Sequence, residues 1–159
     1  MPTIPKELIV FFASMLPIGE LRAGIPLGLF WGMSKESTFF WAQLGNIVIV
    51  MAILKILGPI SSWLMKHSKW CEKNFNKLFH HTRTKHQKKI EKMGGFFLIL
   101  ITSIPVIGTG GWTAALIAFL FGLPYWQSVG FILIGNIICG ILVILGFGGA
   151  MEFIKFFIK

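Results

Sequence analysis

Apolar positions in this chain fall in long uninterrupted runs. Residues 93–151 contain 59 consecutive positions without Asp, Glu, Lys or Arg, and residues 37–54 form a second uncharged run of 18. As one continuous helix the longer run would extend about 88 Å, nearly three hydrocarbon cores, so it must fold back inside a bilayer at least once. The runs at 37–54 and 126–151 predict complete spanning helices, tilted to fit the membrane.

The segment before each span is broken. Residues 8–32 carry Pro17, Gly19, Glu20, Arg22, Gly24, Pro26 and Gly28, and residues 96–122 carry Pro105, Gly108, Gly110 and Gly111 at a similar depth. A continuous lipid-exposed helix would leave backbone groups unpaired there, which is tolerated only where the backbone lines a cavity or is buried in protein. The expectation is a re-entrant helical hairpin in each case, its tip near the midplane; a kinked full span is the other reading. The apolar stretch after Leu8 reads as mature structure and not as a cleaved signal, because Lys6 is cancelled by Glu7 and the run ends in Glu20 and Arg22.

Sliding the chain on itself by 90 residues places Gly32 on Gly122, the Gly-Asn-Ile at 45–47 on that at 135–137, and Gly58 on Gly148. A shared tripeptide with flanking glycines in register marks two copies of one unit. The fold expected is an all-α integral membrane protein of one domain, 1–159, with repeat 1 at 6–65, a linker at 66–92 and repeat 2 at 93–158. One hairpin plus one span per unit gives an odd number of crossings, so the copies would be inverted in the membrane, as in inverted-repeat transporters. Four full spans would make them parallel, an arrangement that Lys6, Lys155 and Lys159 favour.

Charge refines this picture. Residues 66–92 hold eight Lys and Arg83 against Glu72 and Glu91, +7 of the formal +9, and all four histidines. Between apolar spans, such a loop is expected on the cytoplasmic side, with nucleic acid excluded as its partner. Trp70, Phe75, Leu78 and Phe79 recur at helical spacing among the lysines, as expected of an amphipathic helix lying on anionic lipid; a solvated linker is the other reading. His67, Cys71, His80, His81 and His86 match no metal-ligand spacing, so no metal is expected. Cys71 and Cys139 lie in a basic loop and an apolar run, and no disulfide is expected.

The motifs ELRAGIPLG at 20–28 and GTGGWTAALIAFLFGLP at 108–124 resemble the family of small multidrug export proteins, over about residues 8–150. That family is similar to the DedA superfamily, whose resemblance implies two opposed re-entrant hairpins each followed by a transmembrane helix, a prokaryotic inner-membrane location, a lipid-phosphate cargo and proton coupling. One departure stands out. DedA members carry an acid on one hairpin and an arginine on the other, whereas here Glu20 and Arg22 share the first hairpin and Trp112 takes the register position of Arg22.

A carboxylate and a guanidinium in an apolar segment each cost several kcal/mol, on the order of 3, unless they pair or reach water. Glu20 and Arg22 therefore read either as an ion pair locking the hairpins together or as a site in which Arg22 receives an anionic group and Glu20 takes a proton. Gly108, Thr109, Gly110 and Gly111 can present N–H groups to an anion, or simply allow close helix approach. Trp112 and Thr113 follow them as cavity-lining candidates. Gln43, Asn46 and Asn136 put amides into the spans, as interhelical bonds or as cargo contacts. Lys55 is expected to snorkel to the interface.

No nucleophile–base constellation and no Walker sequence occurs, so neither an enzyme nor an ATP-driven pump is expected, and no cofactor beyond a coupling proton or ion. The function expected is transport of an anionic or amphipathic small molecule, with membrane lipids as partners. A multidrug exporter and a non-transporting structural or assembly protein are the alternatives. All three permit a homodimer.

Overall fold

The computed structural model describes residues 4–67, 87–106 and 110–158. These residues are all helix and turn, without a strand among them, and they form α1 (Lys6–Met15), α2 (Glu20–Phe30), α3 (Lys35–His67), α4 (Gln87–Ser103), α5 (Gly111–Leu120) and α6 (Tyr125–Ile158). The order is twice short, short, long. The histidines at 80, 81 and 86, Cys71 and the amphipathic stretch at 70–79 lie outside the described residues.

Local chemistry explains the breaks. Leu16 is extended (ψ 144°) because Pro17 follows it, which ends α1. α2 and α5 each end in a Schellman motif on a left-handed glycine, Gly32 (φ 76°) and Gly122 (φ 67°). Met33 N–H donates to Gly28 O and Gly32 N–H to Leu29 O; 90 residues on, Leu123 N–H donates to Ala118 O and Gly122 N–H to Phe119 O. Ser34 then caps α3, its Oγ accepting from Ser37 N–H at 3.2 Å.

The first two helices double back on each other. Lys6 at the start of α1 donates through Nζ to Trp31 O beyond the end of α2, at 2.7 Å, closing the mouth of the hairpin. Each arm is ten or eleven residues long, about 15 Å of helix or half a hydrocarbon core.

The long helices overrun their expected limits. α3 continues through Lys55 and Pro59 to His67, and α4 begins at Gln87, inside the stretch expected to be linker. One proline removes one backbone bond, while the Leu, Ile, Lys and Gln around these boundaries keep their helical preference. Within them, Lys35–Ser61 (27 residues) and Tyr125–Gly149 (25 residues) are long and apolar enough to cross a membrane.

Packing interlocks the two halves. α1 lies along α3 and α4 along α6, while α2 also packs on α6 and α5 on α3. One core joins Val50 to Leu98, Ala114, Ala115, Ala118, Leu123 and Ile132; the other joins Val10, Leu21, Ile25 and Ala42, with Val143 and Ile144 against it. The repeated glycines set the close crossings. A Cβ on Gly45 would run into the Phe11 carbonyl of α1, and one on Gly135 into Thr102 Oγ1 and Ile99 O of α4. Outside, Phe12, Ile18, Phe30, Phe96, Trp126 and Leu145 are exposed, as suits a surface turned to lipid.

Candidate functional site

The hairpin tips meet at the centre of the molecule. Gly19 (φ 104°) and Glu20 (φ 48°) are two successive left-handed residues that swing the chain from α1 into α2. For Glu20 that backbone costs about 1–2 kcal/mol and requires compensation. The compensation lies across the repeat. Glu20 Oε2 accepts the Gly111 N–H at 2.9 Å and Oε1 accepts the Trp112 N–H at 3.1 Å, so the carboxylate caps the N-terminus of α5. An anion there satisfies two orphan donors and faces the positive end of the helix dipole.

Arg22 completes the contact. Its Nη1 lies 3.6 Å from Glu20 Oε2, and its Nη2 donates to Ile104 O, just past the end of α4, at 2.6 Å. Residues two apart on a regular helix diverge, but Glu20 is the first residue of α2 and its left-handed backbone turns the carboxylate toward Arg22. The buried thiol of Cys139 on α6 packs beside the guanidinium.

These contacts recur in register across the halves. Trp112, the register mate of Arg22, donates its indole N–H to Met15 O, the last residue of α1, at 3.1 Å. Each half thus sends one donor from its second short helix to a carbonyl at the end of the other half's first helix. Asn136 Nδ2 donates to Asn46 Oδ1 at 2.6 Å, a bond between equivalent positions 90 residues apart. Glu20 and Gly110 are also equivalent and also touch: a Cβ on Gly110 would collide with the Glu20 carboxylate.

Of the residues singled out by sequence, Glu20, Arg22, Gly110, Trp112, Asn46 and Asn136 gather in this centre. Thr113 stands in the first turn of α5, and Gly108 and Thr109 lie outside the described residues. Asn46 and Asn136 bond to each other, whereas Gln43 is buried with neither amide atom bonded. Lys55 is exposed. Cys139 was legible in the sequence only as a cysteine outside any disulfide, and Met15 and Ile104 were not singled out. The register alignment carried a signal for the last two, since it pairs Arg22 with Trp112, both N–H donors.

A family model described as "Putative small multi-drug export protein" matches residues 20–142. The chain belongs to that family. Comparisons with curated proteins and with solved structures give no match. The family match opens on Glu20 and takes in Arg22, the α5 N-terminus and both asparagines. Family membership and two helices of spanning length together make this a membrane protein of a transport family.

Proposed function

We propose that the protein is a small secondary transporter in the prokaryotic inner membrane, and that Glu20 and Arg22 form its transport site. In this reading 6–65 and 93–158 are inverted units, each a re-entrant hairpin followed by a span, and 66–92 faces the cytoplasm on anionic lipid. The arm lengths of α1 and α2 and the Lys6–Trp31 contact at their mouth support re-entry. The observation carrying the functional reading is that one titratable carboxylate, Glu20, bridges the two halves at the centre.

The bridging carboxylate sits where an anionic cargo would bind. The Gly111 and Trp112 N–H groups and the Arg22 fork suit a phosphate or carboxylate. Protonated Glu20 loses its charge-assisted bonds and leaves; the headgroup of an anionic amphiphile, a lipid phosphate foremost, takes its place. Arg22 keeps one anionic partner throughout, so one proton accompanies one negative charge. The family description names multi-drug export; for cationic drugs that fits less well because Arg22 already neutralises Glu20.

Proteoliposomes offered labelled dodecyl phosphate, with ethidium as the cationic competitor, test this. Wild type should take up the phosphate only down a proton gradient, with uptake lost in monodisperse Glu20→Gln and Arg22→Ala. Ethidium movement without phosphate movement would replace the cargo assignment with drug export. A complete failure of both variants to accumulate, with wild type moving neither probe, would make the pair a structural lock.

A further inference from the structure

Glu20 is 4% exposed at the tip of a hairpin, so a proton arriving from the hairpin mouth crosses about 15 Å of helical protein to reach it. The two halves differ in what they offer along that distance. In the first half Gln43 and Asn46 stand one turn apart on α3, 8% and 0% exposed. Gln43 Nε2, Gln43 Oε1 and Asn46 Nδ2 are buried without a hydrogen-bond partner. In the second half the register mate of Gln43 is Leu133, and the Asn136 amide already donates to Asn46.

An orphaned buried amide atom costs about 1–3 kcal/mol, so three on one face of a span require a partner from outside the protein. Two donors and one acceptor, all uncharged, match water, which typically makes about three hydrogen bonds when buried. A cation is disfavoured by Arg22. The position is also continuous with the site: Asn46 Oδ1 lies 2.8 Å from where a Gly111 Cβ would stand, and Gly111 N–H holds Glu20 Oε2. Counted from Lys35, at the hairpin mouth, Gln43 is about 12 Å and Asn46 about 16 Å along α3.

We propose that Gln43 and Asn46 hold water that conducts protons from the Lys6 and Lys35 end of the protein to the Glu20 carboxylate. This rests on the reading of Glu20 as the proton site. The proton enters from bulk water, passes along the amide-bound water and ends on a Glu20 oxygen, so that an anion can take the place of the carboxylate beside Arg22. The charged and titratable groups facing Glu20 are Arg22 on α2 and the Cys139 thiol on α6; the parts of α1, α3 and α5 around it carry none among the described residues. The second half has Leu133 in place of Gln43 and so carries no matching pair of amides among its described residues, which makes this route one-sided.

The test is a pH jump on the full chain in liposomes, following the Glu20 carboxyl band by infrared difference spectroscopy, with Glu20→Gln assigning the band by its loss. Gln43→Leu, apolar and of similar size, should slow the appearance of the band by about tenfold or more with its final amplitude unchanged. Gln43→Asn, which keeps an amide, should recover most of the rate, and Leu133→Ala should not alter it. If Gln43→Leu is not monodisperse, Gln43→Met carries the same expectation. A band that forms at the wild-type rate in Gln43→Leu or Gln43→Met overturns the route and leaves the transport reading standing. A protein with no titrating Glu20 band at any pH overturns the transport reading and the route with it.

Discussion

Adding one methyl group at Gly110 tests whether the Glu20 cap holds the two halves together. The backbone there is extended (φ −91°, ψ −162°), so alanine is conformationally permitted and the effect of Gly110→Ala is purely steric. The three atoms nearest its Cβ all belong to the Glu20 carboxyl group. Evicting the carboxylate forfeits two charge-assisted hydrogen bonds, about 1.5–3 kcal/mol each, and strains the pairing with Arg22. Relief of the left-handed Glu20 backbone and the lower unfolded-state entropy of alanine return about 1–2 kcal/mol. The net loss is on the order of 2–4 kcal/mol, a factor of roughly 30 to 900 in the folding equilibrium. Reversible unfolding in mixed micelles, followed by circular dichroism, measures it in a cycle with Glu20→Ala. Because the methyl acts only through the carboxyl group, Gly110→Ala should be nearly neutral, within about 0.5 kcal/mol, once Glu20 is alanine. Additive losses in the double variant would refute this account of the centre.

Two further outcomes are expected from the same unfolding measurement. Asn46→Leu or Asn136→Leu alone should destabilise by about 1–3 kcal/mol by orphaning the other amide, whereas the double variant should recover much of that loss. Gly45→Ala and Gly135→Ala should each cost about 1–3 kcal/mol by overpacking a helix crossing, while Gly58→Ala and Gly146→Ala, whose Cβ would meet nothing within 4 Å, should be silent or slightly stabilising.

The helical architecture was legible wherever one chemical feature decides local geometry. Pro17 and Pro105 follow the ends of α1 and α4, and Gly32 and Gly122 stop α2 and α5 in register, since no side-chain context competes with a missing N–H or a left-handed φ. The end of α3 at His67 and the start of α4 at Gln87 were less legible, because a single proline, Pro59, and a run of charge are both overridden by the helical preference of the residues around them. The Gly-Asn-Ile repeat was visible as a repeat, yet its division of labour was not. Gly45 faces its own half's α1 and Asn46 faces its counterpart in the other half, the second a contact that exists only once the halves come together. The glycine-rich second tip read as a place for some anion. That this anion is the chain's own Glu20, 91 residues away from Gly111, is a long-range fact that no local pattern encodes.

The meeting of Glu20 with Gly110 bears on how such a protein can arise. A homodimer of identical half-chains puts the same residue on both sides of its axis, so it would bring together either two carboxylates, which repel, or two glycines, which bond nothing. The cap needs an acid on one side and a bare backbone on the other. Divergence of the two halves at this one position permits that. The latch is in this sense a mark of unlike halves, since two identical ones could not form it.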